Sequence, residues 1–290
     1  MKRFVLYALT LLTAIAALAL AVDCANVWLI CSSTGNSAYK MKRLYENPKP
    51  DEIAIVGSSR ACGNFVPSLI SSKCFNYGIK GMAMGETMSA LEVLKLRETE
   101  APVIVNLDPW GNFGNHIVGD YRLAPQSGRL SWVESVPGVR FFGALRKNLV
   151  AMISARCSVT CVIDCGAELL KNSRTEAEWA AINSKLADTS FCCNGEDRQR
   201  LFSVLKAFSP RKVYVVVCPC SAAWMSHFSG KQSLMEFLSE LENLENVTVL
   251  NYFWSKDFSD ADFTDPTHFN FSGARKFSQL LKSQLTRLTK

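Results

Sequence analysis

Five short apolar runs alternate with segments of helical pattern from Asp51 onward, and this alternation restricts the folds open to the chain. Short runs rich in apolar and β-branched residues are typical of strands buried on both faces, as in a parallel sheet covered by helices. The pattern therefore predicts an α/β protein, a three-layer α/β/α sandwich with a five-stranded, mostly parallel sheet. The predicted strands are Ile53 to Val56, Cys74 to Ile79, Val103 to Leu107, Val213 to Cys218 and Val247 to Leu250. The predicted helices are Thr87 to Arg97, Glu196 to Phe208, Gln232 to Leu244 and a closing helix from Ser272 to about Leu288.

The chain divides into a leader, a linker and one large domain. Apolar residues make up 48% of the 290 residues, enough for a well-buried core. We assign residues 51–290 to the domain and residues 23–50 to a linker. Residues from about 110 to 195 interrupt the alternation and predict an insertion between the third and fourth strands. Such an insertion serves either as extra packing or as a lid or acyl-group pocket.

The leader, residues 1–22, predicts export. Lys2 and Arg3 precede an uncharged stretch from Phe4 to Val22, which as a helix would span about 28 Å, close to the thickness of a bilayer core. The stretch fits a secretory signal peptide, with Ala19-Leu-Ala21 as a cleavage site, and it fits an uncleaved signal anchor equally well. Both interpretations place the domain on the periplasmic or extracytoplasmic face, with membrane attachment in the second.

Charge and cysteine content exclude two other classes of function. Lys and Arg total 32 against 26 Asp and Glu, and the basic residues are scattered, so we predict no nucleic-acid partner. Eleven cysteines are many, and in an oxidising compartment some of them could pair. No C-x-x-C pair or neighbouring His accompanies them, which favours buried thiols over a metal site. We predict neither a metal nor a cofactor.

A pair of serines follows the first predicted strand, in the segment Ile53-Ala-Ile-Val-Gly57-Ser58-Ser59-Arg60. In open α/β sheets ligands bind at the carboxyl ends of the strands. A hydroxyl at that place lies at the start of a helix, whose free amide groups can bind a developing oxyanion. The alternative is a serine that only caps the helix.

An Asp-x-x-His segment, Asp265 to His268, lies after the last strand and before the closing helix. A serine hydroxyl is too weakly acidic to attack an ester at neutral pH, so it needs an imidazole base, and that base needs a carboxylate to fix its tautomer. The alternative is a surface-loop His with Asp as a turn residue. The two segments together favour a catalytic triad of Ser59, His268 and Asp265.

These segments resemble the SGNH, or GDSL-like, hydrolases over roughly residues 51 to 288. Ser59 matches the family's nucleophile, with Ser58 in place of Asp in Gly-Asp-Ser, and Asp265 and His268 match its Asp-x-x-His block. The resemblance implies the flavodoxin-like sandwich and an oxyanion hole made by Ser59, by Gly81 of the second block and by an Asn of the third. The family's Gly-x-Asn-Asp is not present in the third block. Asn112 is our candidate there, with Asn106 as a competitor.

The leader and the Gly-Ser-Ser start look closest to membrane-anchored members such as the D-alanyl transfer protein and the alginate O-acetylation proteins. The resemblance implies an exported serine esterase or O-acyltransferase acting on an acylated carbohydrate or a small ester, with a membrane-bound O-acyltransferase as a partner. The alternative is a catalytically silent accessory protein in a polysaccharide modification or export assembly. A separation well beyond about 5 Å between Ser59 Oγ and His268 Nε2 would favour that alternative.

Three further features have two interpretations each. The carboxylates of Asp257, Asp260, Asp262 and Asp265 form either a calcium site or a solvated acidic loop, and their spacing follows no EF-hand. His116 and His227 either line a pocket or are ordinary loop residues. Arg60 either binds an anionic substrate group beside the nucleophile or pairs with a neighbouring acid. The sequence leaves the last choice open.

Overall fold

A computed structural model describes residues 1–46, 49–110, 118–129, 134, 136–141, 150, 153, 161–171 and 174–288. Its centre is a five-stranded parallel sheet in the order β2-β1-β3-β7-β9, covered by helices on both faces, which confirms the predicted α/β/α sandwich. The strands of this sheet are β1 (Ile53–Val56), β2 (Cys74–Asn76), β3 (Val103–Asn106), β7 (Val213–Val217) and β9 (Val247–Asn251). The other strands form three two-stranded pairs: β4 (Cys161–Asp164) with β5 (Ala167–Leu170), β6 (Thr189–Ser190) with β8 (Phe228–Ser229), and β10 (Phe263–Asp265) with β11 (His268–Phe269).

The helices lie close to the predicted positions. The ends of the four predicted helices lie within three residues of the predicted ends, because caps and not hydrophobic spacing set the ends of a helix. The described part of residues 110–195 includes the β4–β5 hairpin, the helix Glu176–Asn183 and β6. The helices are α1 (Lys2–Cys31), α2 (Ser37–Glu46), α3 (Ser59–Asn64), α4 (Pro67–Ile70), α5 (Met84–Lys95), α6 (Glu176–Asn183), α7 (Gly195–Lys206), α8 (Ala222–Ser226), α9 (Lys231–Glu242) and α10 (Phe271–Leu288).

The sheet has a separate hydrophobic core on each face, because side chains alternate along a strand. Ala54 and Val56 of β1 pack with α2, α5, α7 and α9 on one face. Ile55, between them, packs with α10 and the β4–β5 hairpin on the other face. All three are fully buried, as expected for a central parallel strand. The two cores fix the carboxyl edge of the sheet, where the polar residues described below are concentrated.

The amino-terminal region is helical well beyond the uncharged stretch. α1 runs for 30 residues, and its apolar side chains up to Val22 are mostly exposed, whereas Asp23 and Asn26 are buried. The segment from 23 to 50, for which the sequence predicted a linker, contains the end of α1 and all of α2. Met41 and Leu44 of α2 are buried in the main core. Their spacing, three residues apart on one helical face, was a signal of packing that a linker assignment passed over.

Candidate active site

The turn between β1 and α3 presents Ser59 at the carboxyl edge of the sheet. Gly57 has a φ of 142°, and an added Cβ would lie 3.0 Å from Asn106, so the turn requires a residue without a side chain. Ser58 is the N-cap of α3, and its Oγ accepts a hydrogen bond from the Arg60 N–H at 3.2 Å. Because Ser58 takes the capping role, the Ser59 hydroxyl is left for other contacts.

Ser59, His268 and Asp265 form a continuous hydrogen-bonded chain. The distance between Ser59 Oγ and His268 Nε2 is 2.8 Å. His268 Nδ1 lies 2.9 Å from each carboxylate oxygen of Asp265. An imidazole with its proton on Nδ1 donates to Asp265 and leaves Nε2 free to accept the serine proton. The structure thus brings together the three residues that the sequence nominated, across more than two hundred positions of chain.

Asp265 is ionised in this arrangement. Burial alone would raise the pKa of its carboxyl group, but the His268 side chain and the Thr267 backbone and hydroxyl hydrogen-bond to it, and the pKa falls below its ordinary value. The Thr267 N–H donates to Asp265 Oδ1 at 2.9 Å and the His268 N–H donates to the same oxygen at 3.0 Å. The backbone of the short β10–β11 turn therefore fixes the position of the carboxylate that orients the imidazole.

A pocket of about 280 Å³ opens beside the serine. Met82, Met84 and the half-buried Trp110 form its apolar wall, while Ser59 and His268 lie on its polar side. An apolar pocket with a few convergent polar groups is the usual form of a small-molecule site. The pocket can therefore hold a small substrate group next to the Ser59 hydroxyl.

Asp108 is a site residue that the sequence analysis missed. It accepts hydrogen bonds from the Ser58 hydroxyl, from Asn106 Nδ2 at 2.9 Å and from Arg60 Nη1 at 3.3 Å. It lines the same pocket as Ser59. Its position shortly after β3, at the carboxyl edge of the sheet, was the available signal. Asp108 joins the β1 and β3 ends of the site through one carboxylate.

Arg60 pairs with an acid, which decides between the two interpretations of this residue. Its side chain is only 1% exposed and donates to Asp108, to the Thr267 carbonyl and to the Cys218 and Pro219 carbonyls. Burial would lower its pKa, but Cys220 and Asp108 hold the pKa above the ordinary value. The guanidinium group ties β1, β7 and the catalytic turn together and is itself fully occupied.

The proposed oxyanion donors differ in whether they lie beside Ser59 and in whether they have other hydrogen-bond partners. Gly81 has a φ of 80° and lines the Ser59 pocket. Asn106 also lines the pocket, but its Nδ2 donates to Asp108 and its Oδ1 accepts from Cys218 Sγ at 3.0 Å. Asn112 lies outside the described residues. The Ser59 N–H stands at the first turn of α3, where backbone amides have no partner within the helix.

A buried carboxylate holds part of the insertion against the pocket. Glu86, on the first turn of α5, accepts hydrogen bonds from the Val118 and Gly119 N–H groups at 3.0 and 3.1 Å and from the Tyr121 hydroxyl at 3.0 Å. A Cβ added at Gly81 would lie 3.8 Å from Val118. Residues 118–121 therefore sit beside the pocket wall, and Glu86 fixes their position.

The thiols nearest the site are not nucleophiles. Burial raises the pKa of Cys218 and of Cys220 to about 12, so both are protonated at neutral pH. Cys62, Cys218 and Cys220 are all free thiols. Among the residues that the structure describes, no group of three or more His, Cys, Asp or Glu side chains is arranged to hold a metal ion.

The other singled-out residues have ordinary partners or cannot be described. His227 Nδ1 lies 3.0 Å from Asp188, on an exposed loop. Asp257 and Asp262 accept from Ser255 Oγ and from the Ser259 N–H. His116 lies outside the described residues. None of the described residues in this group contacts Ser59 or lines its pocket.

Comparison with known proteins adds little to this geometry. No protein-family model matches the chain, and no curated protein matches it. A solved structure from Streptococcus pneumonia, provisionally described as a platelet activating factor, is similar with a TM-score of 0.41 and 13% identity, covering 91% of this chain and 98% of that chain. A similarity this distant supports no conclusion about activity. Any conclusion about activity therefore rests on the residues of the site alone.

Proposed function

We propose that the protein is a serine hydrolase or acyltransferase of the SGNH type, which moves an ester-linked acyl group through an acyl-Ser59 intermediate. The observation that supports this most is the chain of contacts from Ser59 Oγ through the His268 imidazole to the Asp265 carboxylate, at 2.8 and 2.9 Å. Nucleophile, base and orienting carboxylate are within hydrogen-bond reach of one another, as acyl transfer requires.

The mechanism follows from these positions. His268 Nε2 accepts the Ser59 proton as Oγ attacks the ester carbonyl, and Asp265 stabilises the imidazolium that forms. The tetrahedral oxyanion lies at the amino terminus of α3, where the Ser59 N–H donates to it, with Gly81 as the second proposed donor. The imidazolium then returns the proton to the leaving alcohol, and an acceptor hydroxyl, from water or a sugar, takes the acyl group by the reverse steps.

The distance between Ser59 and His268 argues against a catalytically silent accessory protein. That alternative expects a separation well beyond about 5 Å between Ser59 and His268, whereas the observed distance is 2.8 Å. A protein that only binds a glycan does not require Asp265 to be ionised against the imidazole. The acylated carbohydrate substrate and the membrane-bound O-acyltransferase partner remain proposals drawn from the resemblance.

We also propose that α1 anchors the protein in a membrane with the domain on the extracytoplasmic face. α1 has a mean hydropathy of 2.4 over its most apolar window, and none of that window is buried in the protein. A cleaved signal peptide passes the same test, so the mass of the mature chain is the decisive observation. An anchor predicts the full mass in the membrane fraction, and cleavage after Ala21 predicts a shortened soluble chain.

The experiment that tests the chemistry is hydrolysis of p-nitrophenyl acetate and butyrate by the full chain in detergent. We expect release of p-nitrophenol that Ser59→Ala abolishes, because no other hydroxyl in the described residues contacts His268 Nε2. Ser226→Ala is the matched control, since Ser226 is exposed and its hydroxyl donates only to the Ala223 carbonyl. Equal rates in the wild type and Ser59→Ala would contradict the proposal of an esterase.

A further inference from the structure

A segment of the insertion packs against the apolar part of α1. An ideal Cβ at Gly138 would lie 3.5 Å from the Cβ of Ala19, so the two backbones approach closely. Gly138 has a φ of 87°, which lets the chain turn at this contact. Ala19 belongs to the uncharged stretch that ends at Val22, about 5 Å further along the helix axis. Residues 136–141 therefore lie beside the last turn of the candidate membrane span.

A groove between these two elements is almost wholly apolar. Its volume is about 180 Å³, and it is distinct from the pocket at Ser59. Val139, next to Gly138, is an apolar side chain that is 46% exposed. The groove is lined by Ile15, Leu18, Ala19, Val22 and, at one end, Asp23 from α1, and by Gly138 and Phe141 on the other side.

An ion pair between α1 and the insertion marks the polar end of the groove. Asp23 is the first charged residue after the uncharged stretch, and it is 5% exposed. Arg140 donates to it through two nitrogens, from Nε at 3.0 Å and from Nη2 at 2.8 Å. A bidentate pair of this kind neutralises both groups where the helix passes from an apolar to a polar environment. The apolar groove and the ion pair thus lie in the order expected on crossing a bilayer surface.

We propose that residues 136–139 insert into the outer leaflet beside α1, with Arg140 at the boundary, and that the groove between this segment and α1 takes a lipid acyl chain. The groove continues the apolar surface of α1 close to the end of its uncharged stretch, at the level where interfacial elements lie in a bilayer. The proposal rests on α1 as a membrane anchor and does not depend on the esterase chemistry.

Phe141, which follows the inserted segment in the chain, connects that segment to the rest of the domain by packing. Phe141 is buried with Ile30 of α1 and with Leu123. Leu123 follows the segment that Glu86 holds beside the Ser59 pocket. These contacts connect the inserted residues to the wall of the Ser59 pocket. They hold the domain in a fixed orientation on the bilayer, and this orientation places the pocket near esters at the membrane surface.

The test is photocrosslinking of the full chain in vesicles of phosphatidylcholine and phosphatidylglycerol. p-Benzoylphenylalanine replaces Val139, Met235 or Leu12, one at a time, and adducts with lipid are identified by mass spectrometry. Met235 is the matched control, because it is apolar and 45% exposed but lies on α9, which packs against the edge strand β9. Leu12 reports on α1 itself. The three side chains are 45% or more exposed, so each replacement should disturb the packing little.

We expect lipid adducts at positions 12 and 139, with about tenfold less at position 235, since only apolar groups within the leaflet meet acyl chains. Adducts at 12 combined with a level at 139 equal to that at 235 would overturn the proposal and leave the anchor intact. No adduct at 12 would overturn both, and crosslinking of position 139 to a second copy of the chain would assign the groove to a dimer instead. None of these outcomes depends on ester hydrolysis. The p-nitrophenyl ester assay therefore tests the esterase proposal independently of the crosslinking.

Discussion

The two edges of the central sheet each carry a pocket, and the larger one lies at the edge without the triad. The amino edge has a pocket of about 460 Å³ lined by Lys95, Arg97, Arg211 and Lys212, against about 280 Å³ at the carboxyl edge. Arg211 Nη1 donates to the Leu94 carbonyl at 2.8 Å, and its Nε donates to the Ala101 carbonyl. Burial and the neighbouring Arg97 lower the pKa of Arg211 to about 10.

The hydrogen bonds among the lining residues, and not the volume of the cavity, distinguish the candidate active site from the pocket at the amino edge. At the amino edge the buried guanidinium groups bind carbonyls at the end of α5 and before β3, so they hold the fold together. At the carboxyl edge Arg60 and Asp108 also hold the fold together, but beside them the Ser59 hydroxyl contacts an imidazole that is oriented by a carboxylate. Substitutions at the carboxyl edge should therefore affect catalysis, and substitutions at the amino edge should affect stability alone.

His268→Gln is expected to have the largest effect. Glutamine can hydrogen-bond to Ser59 but cannot take its proton, so kcat for p-nitrophenyl acetate should fall by about a thousandfold to ten-thousandfold. The matched control is His227→Gln, because His227 also lies 3.0 Å from a carboxylate, that of Asp188, but lines neither pocket. A similar loss in both variants would contradict the role given to His268.

Asp265→Asn should reduce kcat by about a hundredfold or more, because the asparagine amide favours the wrong imidazole tautomer. It should also change how stability depends on pH. The folded-state pKa of Asp265 is lower than the ordinary 3.8, so its ionised form stabilises the fold fully above that value. The stabilisation is lost as the pH falls from about 3.8 through the lower folded pKa.

The measurement for this second effect is urea denaturation of the wild type and Asp265→Asn at a series of pH values from 6 to about 3. The difference in free energy of unfolding between the two proteins should be constant above pH 5 and should shrink toward acid pH. A difference that grows on acidification would mean that the folded pKa is raised, contrary to the hydrogen bonds at this carboxylate.

Asp108→Asn should destabilise the carboxyl edge and lower activity together. It leaves the buried Arg60 without its carboxylate, and we expect the free energy of unfolding to fall by about 2 to 4 kcal/mol. The Ser58 and Asn106 side chains lose the same acceptor, so kcat should fall as well. Thermal unfolding and the p-nitrophenyl acetate assay measure the two effects, and an unchanged midpoint would show that Arg60 does not need Asp108.

Arg211→Gln at the amino edge should affect stability alone. The Leu94 and Ala101 carbonyls lose a donor, while the repulsion between Arg211 and Arg97 is relieved. We expect a net loss of about 1 kcal/mol in the free energy of unfolding and unchanged kcat and KM. A loss of activity at a temperature where the variant is fully folded would assign a functional role to this edge and break the comparison.

The sequence predicted the parts of the protein that depend on local pattern. The strands around Ile55 and Ile104 and the helix after Asn270 are local signals, because burial on both faces and helical spacing are visible within a few residues. Ser59 and His268 were found the same way, since each ends a recognisable segment. Their separation of 2.8 Å does not follow from local pattern, because β3 and β7 lie between β1 and β9 in the sheet. Hydrogen bonds from Arg60 to Thr267 and from Phe269 to Asn64 hold the β10–β11 turn against α3.

The remainder depends on contacts between distant segments. The bonds from Ser58 to Asp108 and from Val118 to Glu86 join residues far apart in the chain, and no spacing rule predicts them. The segment 23–46 packs against the domain because Met41 and Asp23 find partners that only the folded chain provides. Asn112, the proposed third oxyanion donor, lies outside the described residues, and its role stays a prediction.

The most direct test of the central claim is covalent labelling of the full chain with a fluorophosphonate, followed by peptide mass spectrometry. Labelling needs an activated serine but no natural substrate, acceptor or partner, so it serves a hydrolase and a transferase equally. We predict an adduct on Ser59 that forms about a hundredfold more slowly in His268→Gln, because the imidazole no longer takes the proton from Oγ. An unmodified Ser59, or a labelling rate that does not depend on His268, would contradict the account.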